Sequence, residues 1–479
     1  MPRSPFTVFL ALALGVASLS SLQSLVIPVL PEMQRDLATT PAGVNWTLTA
    51  WLIAAAVATP LIGRVGDLFG RRRTLLAVVA IVAAGDLIAF ASPDLSVLLI
   101  GRVLQGVGAS LFPLAFGLLR ETFPRERIAS AIGAMSAVIA IGSGLGTVIA
   151  GPLAEALTWR GLFLLPLALV VASGILAMLV IPRSTEREHG RINVPAGILL
   201  SGWLVALLLP LSNGAAWGWT SPLVLGLFAL AVVLMAAWVA VELRSVEPLV
   251  DLRLMRAPAI WSTNLASLLL GGAMFAVFAF FARFVQTPTS TGYGLGASIA
   301  QSGLLMLPML VTMAAAGFLS GPIGKVVSFR VQFGGGAALL ALSAIGMALL
   351  HSQPWLVATE AGLFGLGLGI SYAAMTSLIV QSVPSTQTGI ATGVNANLRT
   401  IGGAIASSVV TVIVFANTDA TGLPLEAGYT EAFLTAAALA GVAAGIAFAV
   451  RARRVRRASE RELAVLTSPL TLETEAEAA

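Results

Sequence analysis

Four ionisable side chains lie inside long apolar runs: Asp86, Arg102, Glu360 and Arg399. A charge in hydrocarbon is costly unless it is paired or hydrated, so such residues are normally functional. The chemistry open to them is proton exchange and charge pairing. A fifth charge, Asp67, sits in Gly63-Arg64-Val65-Gly66-Asp67-Leu68-Phe69-Gly70-Arg71-Arg72-Arg73. Its arginines cannot rest in hydrocarbon, and its glycines permit a tight reversal. This stretch therefore reads as a charge-dense loop at one membrane boundary. Absence of cysteine excludes disulfides, thiolate catalysis and cysteine metal sites. His189 and His351 have no ligand partners at metal spacing, so neither metal nor cofactor is expected.

The elements that position these groups follow from composition. Hydrophobic residues make up 57% of the chain and charged residues 10%, with a mean hydropathy of +0.94. A soluble chain carries about 25% charged residues. Apolar runs long enough to cross a ~30 Å hydrocarbon core recur from end to end. Fourteen spans are expected, at approximately 6–31, 46–63, 74–92, 95–119, 128–155, 158–182, 194–212, 220–241, 257–284, 297–320, 330–350, 354–381, 386–416 and 430–450. With the first residue inside, every Lys and Arg falls in a cytoplasmic segment except Arg35, Arg160 and Arg283 outside and Arg102 and Arg399 within spans. That positive-inside bias puts both termini in the cytoplasm and removes nucleic acid as a partner, despite a pI of about 10.5. Arg outnumbers Lys 26 to 1, and Ala and Gly abound, which suggests a GC-rich bacterial genome and hence a bacterial inner membrane. The first run is longer than a signal-peptide core.

An internal repeat sets the organisation. Gly63-x-x-Gly66-Asp67 returns as Gly321-x-x-Gly324-Lys325, Gly106-x-Gly108 as Gly365-x-Gly367, and Ala131-Ile-Gly133 as Ala391-Thr-Gly393, all at nearly one offset. The expected fold is an all-α polytopic membrane protein: two six-helix bundles related by this repeat, plus two inserted spans. Its parts are residues 1–182, an insert at 183–256, a second half at 257–457, and a disordered tail at 458–479. The polybasic Arg451–Arg457 segment faces anionic lipid.

The Gly63–Arg73 stretch resembles the major facilitator superfamily loop G-x-x-x-D-x-x-G-R-R. Six plus two plus six spans resembles its 14-span drug:proton antiporter branch. Trp46-Thr-Leu-Thr49-Ala-Trp51, Gly101-Arg102-x-x-Gln105-Gly106, Trp159-Arg160-x-x-Phe163 and Asn395-x-x-x-Arg399-x-x-Gly402-Gly403 fit as well. Span 5 keeps the antiporter spacing through Gly133, Gly142 and Gly146, but Thr147 replaces a proline and Ala150 a glycine. In span 1, Leu22 stands where the family carries an acid.

The resemblance implies a secondary transporter that exports small amphipathic organic compounds in exchange for protons, monomeric and without enzymatic activity. The alternative is a metabolite importer or facilitator of the same fold; a membrane-embedded enzyme or receptor is more remote. Gly63, Asp67, Gly70, Arg71, Arg72, Gly142, Gly146 and Arg399 are the expected conformational gate. Asp67 would meet the N-terminus of span 13, where the helix dipole favours an anion, and Lys325 has the wrong sign for the same task in the second half. For Gly142 and Gly146 the alternative is plain helix packing.

For protons, Glu360 is the first candidate and Asp86 the second. Arg102 biases a neighbouring carboxylate, and Asp86 and Arg102, both ~10 Å below the outer surface, are placed to pair. Lining of a cavity by spans 1, 4, 9 and 12 would bring Gln23, Phe112, Phe116, Asn264, Phe275, Phe278 and Tyr372 to the substrate. Few acids there favour neutral or weakly charged compounds.

Overall fold

The computed structural model describes residues 5–182, 193–384, 387–416, 418 and 423–449. The expected cytoplasmic loop around Arg187 and the tail from Arg451 lie outside these residues. Among the described residues, fourteen helices are long and apolar enough to cross a membrane. In the first half they are α1 (Pro5–Asp36), α2 (Gly43–Phe69), α3 (Arg71–Phe90), α4 (Leu95–Thr122), α5 (Arg125–Gly146) and α6 (Ala156–Val180). Next come α7 (Val194–Trp217) and α8 (Pro222–Arg244). The last six are α9 (Pro258–Gln286), α10 (Gln301–Ile323), α11 (Phe329–Leu349), α12 (Pro354–Ser382), α13 (Thr388–Ala416) and α14 (Glu426–Ala449).

Helix starts are written in the sequence. Asp94 accepts from Val97 N at 3.0 Å before α4, and Asn193 accepts from Ala196 N at 3.1 Å before α7. Ser298 and Gln301 form a capping box at the start of the helix that contains α10. Each satisfies N–H groups that have no partner within the helix. Proline opens the helices at Pro222, Pro258 and Pro354, where its missing N–H costs nothing.

The stretch from Gly63 to Arg73 is not a loop. Helix α2 runs on through Asp67 to Phe69, and the chain turns at Gly70 alone, where φ is +101°. Gly63 and Gly66 are helical, and their missing side chains serve packing. A Cβ on Gly63 would lie 2.8 Å from Gly389 O of α13.

Most buried apolar residues of α9–α14 form one cluster, from Ala266 to Ala447. Most of those of α1–α6 form two, to one of which Val380 of α12 contributes. A further cluster joins the insert to both sides: Leu200 and Leu204 of α7 pack with Ala56 of α2 and Ile390 and Ile401 of α13. Ser408 Oγ also donates to Leu211 O at 2.8 Å. Helix α7 thus lies over the α2–α13 seam. Helix α8 packs on α7 and exposes Leu225, Val232 and Val233, as a lipid-facing helix does.

The two sets of six meet along α5–α10 and α2–α13. Gly133 of α5 faces Gly317 O, and Gly317 faces Ala137 N at 2.8 Å from a would-be Cβ. Gly142 and Gly146 point elsewhere: would-be Cβ atoms there meet Ala17 O at 3.0 Å and Ser21 O at 2.7 Å, both on α1. Helical phase explains the split, because residues 133, 137 and 144 share one face of α5 while 142 and 146 share another. On α5, Gly133 and Gly144 touch the opposite six-helix set, the latter against Leu310.

Gly133→Ala is expected to destabilise the fold by about 1–3 kcal/mol through overpacking. Gly335→Ala, where a Cβ meets nothing within 4 Å, is expected to be neutral or slightly stabilising. Thermal unfolding of the two purified variants checks this; equal midpoints would refute the close α5–α10 contact.

Candidate functional site

Asp67 is 2% exposed and lies where α2, α3 and α13 converge. Its Oδ1 accepts from Arg71 Nε at 3.0 Å and Nη2 at 2.8 Å, and from Gly389 N at 3.3 Å. Its Oδ2 accepts from Ile390 N at 3.1 Å. The two amides belong to the first turn of α13, which has no intrahelical acceptor for them. Arg71, itself buried, continues the network: Nη1 donates to Glu121 Oε1 at 2.7 Å and to Gly117 O at 3.2 Å on α4. Gly117 is required there, since a Cβ would sit 2.5 Å from Arg71 Nε. Arg72 turns outward and donates to Met178 O of α6 at 2.7 Å.

Two further links cross from the first six helices to the last six. Arg120 Nη1 donates to Val383 O at 2.9 Å and Thr388 Oγ1 at 2.8 Å. Asn397 Nδ2 donates to Ala56 O at 2.7 Å. Neither Arg120, Glu121 nor Asn397 stands out in the sequence. The one signal is that Arg120 and Glu121 end an apolar run just before Pro124, so both must find polar partners at the boundary. Lys325, at the repeat position of Asp67, is exposed, and the described ion pairs do not include it.

A narrow pocket lies between the two sets of helices, with room for roughly one water molecule. Phe112 and Phe116 of α4 form one wall. Tyr372 and Thr376 of α12, with Thr392, Asn395 and Arg399 of α13, form the other. The Arg399 guanidinium lies 4.2 Å from the centre of the Tyr372 ring, and its Nη2 donates to Tyr372 Oη at 2.7 Å. Arg399, placed by the sequence among gate residues, is thus a pocket residue.

Of the other expected cavity residues, Asn264 stands one layer behind, accepting from Asn395 Nδ2 at 2.8 Å. Phe275 packs against Gly403, and Phe278 packs on the core of α9–α14. Gln23 is half-buried on α1 and does not line the pocket.

The polar groups of α3 and α4 form a separate network. Asp86, Gln105 and Arg102 are each fully buried. Asp86 and Arg102 do not touch directly: Arg102 Nη1 donates to Gln105 Oε1 at 2.7 Å, and Gln105 Nε2 donates to Asp86 Oδ1 at 2.8 Å. Gln105 is one turn after Arg102 on the face toward α3, and so comes between them. Close approach of α3 and α4 at Gly85 and Gly101 encloses the three, a Cβ on Gly85 lying 2.9 Å from Gly101 O. Arg102 Nε also donates to Thr47 O of α2 at 2.9 Å. Asp86 Oδ2, Arg102 Nη2 and Trp51 Nε1 have no hydrogen-bond partner.

Glu360 is not part of this network and does not line the pocket. Its carboxyl packs against Gly346 of α11. The sequence places Glu360 one position from the repeat equivalent of Arg102, but one position turns a helical side chain by about 100°. The two therefore do not face a shared cavity.

The chain is 30% identical to the tetracenomycin C resistance and export protein of Streptomyces glaucescens, over 86% of this chain and 76% of that one. It is 29% identical to the cephamycin export protein CmcT of Amycolatopsis lactamdurans, over 86% and 85%. The structure of the human organic anion transporter MFSD10 superposes with a TM-score of 0.66 over 93% of this chain and 99% of that one, at 15% identity, which is a likeness of fold. The sequence profile of the Major Facilitator Superfamily matches residues 12–407, and this multi-pass membrane protein belongs to that superfamily.

Proposed function

We propose that this protein exports small organic compounds by alternating access, in exchange for protons. The observation that carries the reading is the central pocket, walled by α4 on one side and α12 and α13 on the other, with the Asp67 network joining the same two groups of helices at one end. Residues 1–182 and 257–457 act as the two moving halves, and 183–256 as an insert that rides on their seam. The arginine-rich end faces the cytoplasm, in keeping with the positive-inside bias. Export of tetracenomycin C and cephamycin by the relatives named above supports a drug-like or natural-product substrate.

Proton exchange falls to Asp86 on this reading. It is a fully buried carboxyl with one oxygen unpartnered, linked through Gln105 to a fully buried guanidinium. Arg102 keeps its charge throughout and sets the field that Asp86 feels. Inverted membrane vesicles should accumulate substrate when a proton gradient is imposed and lose it when the gradient is collapsed. Asp86→Asn should abolish gradient-driven accumulation while leaving downhill exchange measurable, and Glu360→Gln should leave coupling intact. Wild-type accumulation in Asp86→Asn would remove it as the carrier.

The Asp67 contact closes the cytoplasmic end and favours the outward-facing state. Asp67→Asn removes a full charge from the α13 N-terminus, at a cost of ~1 kcal/mol, up to ~2 where buried. That shifts a balanced equilibrium several-fold toward the inward-facing state. A cysteine at Thr392, the sole thiol in this chain, should then react several-fold faster with an impermeant reagent applied from the cytoplasmic side. Unchanged labelling together with unchanged transport would sink the latch.

A further inference from the structure

The central pocket carries a charge of one sign. Arg399 is its sole lining group that is ionised at neutral pH, and no Asp or Glu lines it. None of the described ion pairs includes Arg399. Its observed partners are the face and the hydroxyl of Tyr372, which stabilise a cation without neutralising it. A half-buried guanidinium in a membrane protein calls for a counter-charge, and this pocket leaves that charge to be supplied by what enters. The guanidinium is a planar fork matched to a carboxylate or another flat oxyanion. Opposite it stand two aromatic rings, Phe112 and Phe116, which offer apolar faces for a flat ring system.

We propose that the pocket, closed here to about the size of one water, widens as the two halves part and then selects aromatic organic anions, with the anionic oxygen on Arg399 and the ring system against Phe112 and Phe116. This deepens the export reading above by naming the substrate class, and the pocket chemistry disfavours organic cations. The Tyr372 hydroxyl accepts from Arg399, so its own proton remains available for the same anion. An inside-negative membrane potential also favours outward movement of an anion, in the direction of export.

The test uses one ring with three charges: anthracene-9-carboxylate, anthracene-9-carboxamide and 9-anthracenylmethylammonium, bound to the purified full chain in nanodiscs. The expected order of affinity is carboxylate, amide, ammonium, with at least about tenfold between the ends, as fits loss of one charge-assisted pair. Arg399→Gln should compress that range to within about threefold, and Arg399→Lys should keep the order with a weaker carboxylate. A variant that merely misfolds would lose all three ligands together, so retained amide binding marks a folded pocket. Tyr372→Phe provides a second, milder loss confined to the carboxylate. Tightest binding of the ammonium, no binding of the carboxylate, or an unchanged order in a folded Arg399→Gln would each overturn the proposal. Anion-selective binding without vesicle transport would count against export and leave the pocket's selectivity standing.

Discussion

Asp67 is held by two backbone amides from a helix more than three hundred residues away, and the arrangement of the molecule depends on that contact. A buried carboxylate needs charge compensation, and a helix N-terminus in low dielectric supplies it only at close range. Close range is possible because Gly63 and Gly389 let the backbones of α2 and α13 approach until a side chain would collide. Arg71 then ties the carboxylate to Glu121 and Gly117, so that α2, α3, α4 and α13 share one set of hydrogen bonds. Removing any member leaves a buried polar group unsatisfied, which is why the cluster is fully connected.

The other seam between the two sets of helices is built differently. At α5–α10 no charge is exchanged, and contact is made by Gly133, Gly317 and Gly321 against backbone. Lipid tails are as apolar as leucine, so association in a bilayer draws on close packing rather than on expulsion of water. The repeat therefore preserves the shape of the contact while losing its electrostatics, as the exchange of Asp67 for Lys325 requires. One seam holds a buried carboxylate on backbone amides and the other is a packing surface.

Spans are legible in the sequence because hydrocarbon thickness imposes a length on every apolar run. Asp67's partner is legible as well, since an acid at a boundary opposite a helix start has few other ways to be satisfied. What one sequence cannot convey is rotational phase. Gly142 and Gly146 match a known spacing, yet they face α1, and Gly133 on the same helix faces α10. Glu360 falls at the depth expected of a cavity residue but turns toward Gly346. Arg399 reads as a gate residue by motif, while Phe112 and Tyr372 beside it show it to be part of the pocket. Helix ends fail for another reason: charges usually mark a boundary, but Arg64 and Asp67 are buried by neighbouring helices, so α2 continues past them to Gly70.

The Asp86 network and the pocket share α4, which carries Arg102 and Gln105 of the one and Phe112 and Phe116 of the other. Helix α2 touches the same network and, farther along, the helix that carries Arg399. Its Thr47 O accepts from Arg102, and its Trp51 ring lies 6.0 Å from the same guanidinium. One turn and more farther along, Ala56 O accepts from Asn397, two residues from Arg399 on α13. Beyond that come Gly63 and Asp67, on the α13 N-terminus. Pro60 lies between the Arg102 contacts and the Asp67 contact; proline removes one intrahelical hydrogen bond, so a change of bend is cheapest there. Helix α2, with Pro60 in its middle, is thus held by the polar network at one end and by α13 at the other.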